Sequence, residues 1–144
     1  MSQVPSAGRS RFVVEPGESA VLVEARSTAG RISFGTQSIR GFLEVGYYDG
    51  RVCLSPAPQA ELDVDLRTLR SGNAIYDAEL AQRLDVRRYP RARLTLDRAC
   101  TTGDRFEVSG PVTLHGNTCE ITGTVSARPD HDGWLVHGEH LFDI

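Results

Sequence analysis

The sequence predicts a mainly β protein of about eight or nine antiparallel strands with a single helix. Several segments carry apolar side chains at every second position, the period that sends one set of side chains to each face of a strand. Gly, Asn and Asp occur between these segments, where tight turns tolerate them. One stretch, Leu69 to Pro90, instead repeats its apolar residues at helical spacing.

The length and the first residues predict the domain organisation. A chain of 144 residues fits one domain with a sizeable core. Residues 1–10 carry Pro, Gly and Ser with little to bury. We therefore expect a flexible N-terminal tail over residues 1–10 and a single domain over residues 11–144.

Charge and targeting signals narrow the classes of function. The 16 basic and 19 acidic residues are scattered and give a net charge of -3, so no basic stripe predicts binding to nucleic acid. The start lacks the apolar stretch of a secretory signal, and no later run reaches membrane-spanning length. We expect a soluble, cytoplasmic protein that does not insert stably into membranes. The sequence leaves open whether the protein forms a homodimer.

The strands before the helix alternate clearly. "AVLVEA" and "RISF" each place apolar residues on one face, and "GFLEVGYYDGRVCL" reads as a hairpin about Asp49 and Gly50. In "ELDVDL", acidic side chains occupy one face and apolar side chains the other. We expect the acidic face to be solvated and to pair with arginines such as Arg91 or Arg93.

The helix is predicted over residues 73–84. Asn73 can cap its first turn, and Tyr76, Leu80 and Leu84 follow at i, i+4 and i+8 on one stripe. Pro90 lies shortly beyond and prevents further helix.

The strands after the helix continue the alternation. "RARLTLD" places Leu94 and Leu96 on one face, and from Arg105 the even positions are predicted to point inward. "HGNT" supplies a hairpin turn before a long returning strand. A last strand begins near Trp134. Periodicity alone allows either a sandwich or a closed barrel, and closure removes exposed strand edges.

Two blocks resemble the YceI-like family of lipocalin-like lipid-binding barrels. The first is the order strand, "SGN" cap, helix, "LDVRRYP" and strand, and the second is "VSGPVTLHGNTCEITGTV". "FVVEPGESAVLVEA" is similar to the family's first hairpin, and the closing "EHLFDI" to its final strand. The likeness runs from about Arg11 to Ile144. It implies an antiparallel barrel with the helix near its mouth, covering the mouth or plugging a side opening.

The resemblance also implies that the barrel interior binds an isoprenoid-like or other long apolar lipid and performs no chemistry on it. Neither a cofactor nor a metal is expected, because the cysteines lack metal-binding spacing, and His137 and His140 point to opposite faces of a strand. The residues predicted to form the cavity wall are Tyr47, Leu62, Val64, Leu66, Tyr76, Leu80, Leu94, Leu96, Phe106, Val108, Trp134, His140 and Phe142.

Two other functions stay open at this point. An enzyme could act on an apolar substrate in the same cavity, with His140 or Asp77 as an acid or base at its mouth. A ligand-free interaction module would instead fill the interior with its own side chains. The clustered arginines 87, 88, 91 and 93 are expected to be solvated surface charge, with contact to a diphosphate or an anionic membrane as the alternative.

Overall fold

This computed structural model describes residues 2–6, 9–15, 17–28, 30–48, 51–55, 57–130 and 133–140. Within these ranges the chain forms strands, one α-helix and one turn of 3₁₀ helix at Leu66–Thr68. The elements are β1 (Ser2–Ser6), β2 (Arg9–Val13), β3 (Val21–Ser27), β4 (Gly30–Thr36), β5 (Ile39–Tyr48), β6 (Arg51–Cys53), β7 (Gln59–Asp65), α1 (Ala74–Leu84), β8 (Arg91–Leu96), β9 (Arg98–Thr102), β10 (Arg105–Leu114), β11 (Asn117–Asp130) and β12 (Gly133–Glu139).

The main sheet curls into a nearly closed barrel, which confirms the predicted fold class. Strands β1, β2, β5, β7, β8, β10, β11 and β12 follow one another by antiparallel pairing, and β12 returns to β1. Among the described residues, that return consists of one pair, Ser2 with Gly133. β6 and β9 pair with β5 and β10, while β3 and β4 form a separate hairpin.

The register assigns the inner face of the barrel. Val64, Ala92 and Leu114, near the ends of their strands, pack against one buried cluster and therefore point inward. Residues two positions away share that face. Leu62 accordingly faces inward and pairs with Leu94 on the next strand. The alternation predicted for "ELDVDL" and "RARLTLD" is confirmed.

A bulge separates β8 from β9. The Asp97 amide donates to the Ser109 carbonyl at 2.8 Å, and beyond it Ala99 pairs with Val108 on the inner face. One extra residue thus shifts the alternation between the two strands. Gly110 lies opposite this bulge, where a Cβ atom would collide with the Thr95 carbonyl oxygen. Only glycine fits there without movement of the backbone.

The helix forms where it is predicted. The Asn73 side chain accepts hydrogen bonds from the amides of Ile75 and Tyr76 at 2.9 and 3.2 Å, so it caps the helix as expected. Asp85 ends the helix in the left-handed region, with φ of 49°. The chain then turns back toward β8.

Two predicted hairpins form, whereas in the described ranges the strands of "FVVEPGESAVLVEA" do not pair with each other, because β2 pairs with β1 and β5 and β3 pairs with β4. His115 and Gly116 have φ of 53° and 73° and connect the pair Leu114–Asn117, which is the two-residue turn that suits twisted strands. Tyr48 pairs with Arg51 across the predicted turn, whose residues 49 and 50 lie outside the described residues.

The N-terminal region differs from its prediction. Residues 1–10 were expected to form a tail, whereas β1 and the start of β2 fall within them and pair with each other from Ser2–Val13 to Ser6–Arg9. The prediction depended on the lack of apolar side chains to bury. A hairpin can instead form through backbone hydrogen bonds, which leave no alternating signal in the sequence.

Candidate functional site

One end of the barrel is filled by a compact apolar cluster, which we call the plug. Its buried members are Phe34, Leu66, Leu69, Leu84 and Val86, from β4, the 3₁₀ turn, α1 and the segment after α1. The gap between α1 and the 3₁₀ turn is about 20 Å³, room for one or two water molecules at most. The helix therefore seals this end.

Four predicted wall residues belong to the plug region. Leu66 is a buried member of the cluster, and Val64, Tyr76 and Leu80 pack against it while remaining partly exposed. The apolar stripe of α1 thus faces the plug. The stripe was expected to line a cavity or its rim. In the structure it packs against the apolar cluster that fills this end of the barrel.

The remaining length of the barrel has a different interior, which we call the lumen. Its wall includes Leu62, Leu94, Leu96, Phe106 and Val108, all of which remain partly exposed although they face inward. No side chain in the described ranges is less than 2% exposed. A core packed to ordinary protein density would contain several such side chains, so this wall is less buried than a filled protein core.

Some inner positions are nevertheless buried. On the barrel wall these are Phe12, Val45 and Val112, which are 3%, 4% and 7% exposed. Phe12 and Val45 were not among the predicted wall residues. Neither "RFVV" nor "GFLEV" alternates strictly, and only the register of β2 on β5 places Phe12 and Val45 on the inner face. Together they narrow the lumen on the β2 and β5 side.

The inner face of the central strands carries no charged side chain. On β7, β8, β10 and β11 the described inner positions are occupied by Ala60, Leu62, Val64, Ala92, Leu94, Leu96, Phe106, Val108, Gly110, Val112, Leu114, Asn117, Cys119, Ile121, Gly123, Val125, Ala127 and Pro129. An isolated charge would be costly to desolvate in such surroundings. The lumen therefore suits the uncharged part of a ligand.

Charged residues occupy the outer face, where they form ion pairs across strands. Arg91 approaches Asp63 at 2.5 Å and Arg93 approaches it at 3.4 Å. Arg11 approaches Glu44 at 2.7 Å. The predicted pairing of the acidic face with arginines is confirmed, and Asp63 has no part in the lumen.

Asp65 begins the 3₁₀ turn at the plugged end. Its carboxylate accepts hydrogen bonds from the Arg67 side chain at 2.9 Å and from the Arg67 amide at 3.0 Å. The side-chain hydrogen bond is the largest cause that lowers the pKa of Asp65, against a smaller opposing effect of burial. This arrangement fixes the turn that carries Leu66 and Leu69 into the plug.

The last strand contributes the remaining predicted residues. Trp134 is partly buried on β12, opposite Pro129 of β11. His140 follows the end of β12 and is exposed, and its inward position stays a prediction. The Tyr47 side chain and Phe142 lie outside the described residues.

Asp77, one of the two residues considered for catalysis, has a structural role. Asp77 accepts hydrogen bonds from the amide and the hydroxyl of Ser71 at 2.8 and 2.7 Å, which stabilises the start of α1. In the described part of the chain, no three His, Cys, Asp or Glu side chains cluster as metal ligands would. Within the same ranges, no helix is long and apolar enough to cross a membrane.

A second concave surface lies outside the barrel at the plugged end. This groove of about 470 Å³ is lined by Ala20, Gly35, Thr36, Gln37, Ser38 and Thr68. Its Thr36 and Thr68 hydroxyls bond to each other at 2.5 Å, and Thr68 also donates to the Asp65 carbonyl at 2.7 Å. These groups hold the β4–β5 corner against the 3₁₀ turn.

The fold and the lumen define a small antiparallel barrel with one sealed end and an apolar, uncharged interior. The model of the YceI-like domain matches residues 12–141. The chain belongs to the YceI-like family.

Three solved structures are similar to this chain to different degrees, all at low sequence identity, and BcnA shares the fold. BcnA from Burkholderia cenocepacia has a TM-score of 0.67 and 15% identity, over 89% of this chain and 74% of BcnA. A YceI protein from Campylobacter jejuni has a TM-score of 0.46 and 10% identity, over 88% of this chain and 60% of that chain. A polyisoprenoid binding domain from Saccharophagus degradans, implicated in plant cell wall breakdown, has a TM-score of 0.47 and 15% identity, over 74% and 62%. No curated protein matches the chain.

Proposed function

We propose that the protein binds a long, uncharged apolar lipid of the isoprenoid type in its lumen, and that it transports or stores this lipid without chemical change. The observation that carries the proposal is the contrast between the two parts of the interior. The plug is buried, whereas the inner face beyond it is apolar, uncharged and partly exposed. Membership of the YceI-like family supports the same ligand class.

The energetics favour a hydrocarbon ligand. Burying on the order of 400 Å² of isoprenoid at roughly 25 cal/mol per Å² gives about 10 kcal/mol before the costs of association. The ligand would also cover wall residues such as Leu94 and Phe106, which are partly exposed without it. No charged anchor is required for binding of this kind.

The sealed end gives the ligand a direction. Because the plug closes the end that holds α1, the hydrocarbon chain enters from the opposite end, near the starts of β10 and β12. The tail of the lipid then points toward Val64 and Leu114, and its head group stays at the open end. A polar head group would remain in water there.

Binding without catalysis is supported by the residues that could have acted on a substrate. Asp77 is held by Ser71 at the plugged end, and His140 is exposed beyond the end of β12. The cytoplasm remains the proposed compartment, and the unpaired thiols of Cys53, Cys100 and Cys119 suit its reducing conditions.

Two neighbouring positions on β11 allow a direct test. Gly123 faces inward with ordinary room for a Cβ atom, since its nearest neighbour would be the Glu139 carbonyl at 3.7 Å. Thr122 is exposed on the opposite face. We expect Gly123→Phe to project a ring into the lumen and reduce lipid binding at least tenfold. Thr122→Phe, the matched control, keeps binding unchanged because its ring lies outside.

Binding is measured with a polyisoprenoid alcohol delivered from cyclodextrin and quantified by mass spectrometry after the protein is separated from free lipid. Lipid that copurifies with the unmodified protein is extracted and identified in parallel. Two results would contradict the proposal: no retained isoprenoid in the unmodified protein, or equal retention by the two phenylalanine variants when both are folded.

A further inference from the structure

Among the described residues, the junction between β12 and β1 has the fewest pairs of any junction in the barrel ring. Strand β12 pairs with β11 at seven positions, from Thr124–Glu139 to Asp130–Gly133. On its other edge the described residues provide one pair, Ser2 with Gly133. The barrel wall is therefore least continuous along this edge of β12.

The same strand exposes apolar side chains on both faces. Leu135 pairs with Arg128 on the outer face and is 41% exposed. Val136 pairs with Ala127 on the inner face and is 42% exposed. Strand β12 therefore presents apolar surface to solvent on both of its faces.

We propose that β12 is a docking surface for a phospholipid bilayer, through which the lipid passes between the membrane and the lumen. This surface consists of Trp134, Leu135, Val136 and the neighbouring Arg128. The proposal rests on the proposed function for its purpose, although docking can be measured without any ligand.

The ligand chemistry favours a bilayer over a soluble partner. A hydrocarbon chain that burial stabilises by about 10 kcal/mol would lose that stabilisation if it crossed water between the membrane and the barrel. Direct contact between the bilayer and the proposed ligand entrance avoids that exposure. A carrier of such a ligand therefore needs an apolar opening that meets the membrane surface.

The side chains of the surface suit the bilayer interface. Tryptophan combines a large apolar ring with a polar N–H group and is enriched at the level of lipid head groups. Arg128 is exposed beside Leu135 on the outer face and complements anionic phospholipid phosphates. Exposed leucine and valine can enter the acyl boundary, where their apolar surface leaves water.

If the exposure of apolar side chains alone decided where a membrane docks, the plugged end of the barrel would be favoured. Leu22 on β3 and Ile75 on α1 are each 76% exposed, more than any apolar side chain of β12. That end is sealed by the plug, so a membrane bound there would have no path to the lumen. Ile75 therefore serves as the matched control for Leu135.

The experiment uses ligand-free protein and vesicles of phosphatidylcholine with or without phosphatidylglycerol. We expect the protein to float with the vesicles, more strongly when phosphatidylglycerol is present. Leu135→Glu is expected to reduce the bound fraction at least fivefold, and Ile75→Glu to leave it unchanged. Because Leu135 lies outside the lumen, Leu135→Glu should keep its binding of isoprenoid from cyclodextrin while transfer from vesicles slows.

The single tryptophan gives a second readout of orientation. Vesicles of brominated phosphatidylcholine should quench Trp134. In a variant that combines Trp134→Phe with Ile75→Trp, the tryptophan is at the plugged end and should be quenched far less. Equal quenching at both positions, or equal flotation of the Leu135→Glu and Ile75→Glu variants, would overturn the docking proposal. Failure to bind isoprenoid from cyclodextrin would instead overturn the proposed function.

Discussion

Two leucine truncations distinguish an open lumen from a filled core. Leu84 is 4% exposed in the plug, whereas Leu94 is partly exposed on the lumen wall. Leu84→Ala leaves a cavity in packed surroundings, and we expect it to lower the free energy of unfolding by about 3 kcal/mol. In an open lumen, Leu94→Ala removes a side chain that already borders open space, so the cavity contribution is absent and the expected loss is about 1 kcal/mol.

The effects on ligand binding should be reversed. Leu94 would contact the lipid, so Leu94→Ala is expected to weaken isoprenoid binding by about 1 kcal/mol, which is roughly fivefold. Leu84 lies within the plug and outside the lumen, so its truncation should leave the dissociation constant nearly unchanged wherever the variant is folded. We therefore expect Leu94→Ala to be stable but to bind poorly, and Leu84→Ala to be less stable but to bind well.

Urea unfolding followed by Trp134 fluorescence measures the first effect, and isoprenoid retention measures the second. A difference of about 2 kcal/mol between the two variants corresponds to roughly 1 M in the urea midpoint. If Leu94→Ala costs as much stability as Leu84→Ala, then Leu94 is packed on all sides. The reasoning from partial exposure to an open lumen would then be refuted.

Three further predictions concern the elements that shape the barrel. Gly110→Ala should lower the free energy of unfolding by about 2 kcal/mol, because the added Cβ atom meets the facing backbone carbonyl. Gly123→Ala should change the free energy of unfolding little. A similar loss of stability in both variants would contradict the close approach at Gly110. Asn73→Ala should cost about 1 kcal/mol through loss of the helix cap, seen as a melting point lower by about 3 °C. Arg67 lowers the pKa of Asp65, so this pair stabilises the fold above the carboxyl's unfolded pKa of about 4 and loses its effect as the pH falls through the lowered folded value. The difference in unfolding free energy between the unmodified protein and Asp65→Asn should therefore shrink in acid, and a difference that is constant with pH would exclude that pair as its source.

Local signals in the sequence were sufficient for the faces of the strands and for the helix. The alternation of "ELDVDL" reflects one wet and one dry face, and the structure pairs Asp63 with arginines while Leu62 faces inward. Asn73 and the spacing of Tyr76, Leu80 and Leu84 predicted the cap and the packed stripe of α1. Each of these features depends on residues close together in the chain, which is why the pattern carries them.

The position of a residue along the length of the barrel leaves no comparable signal in the sequence. Val64 and Leu62 alternate identically, yet Val64 contacts the plug and Leu62 lines the lumen. The difference arises from α1 and the 3₁₀ turn, which fill one end of the barrel only. The bulge opposite Gly110 shifts the alternation between β8 and β9 for a related reason, since the shift is set by pairing with β10. Both features are products of long-range packing.

The separation of plug and lumen explains how a barrel can remain folded around an open interior. The wall is held by backbone pairing around the ring and by outer-face ion pairs such as Arg91–Asp63, which need no filled core. The plug adds close packing at one end, where burial of each large apolar side chain contributes about 1.5 to 3 kcal/mol. Stability is thereby concentrated at the end that holds α1, away from the proposed ligand entrance at the opposite end. A substitution that loosens the plug should lower stability, but it should not open a second entrance while α1 still covers that end. Asn73→Ala weakens the cap of α1, and Leu84→Ala loosens the plug. In the variant that combines them, we expect retention of the ligand to begin to fail.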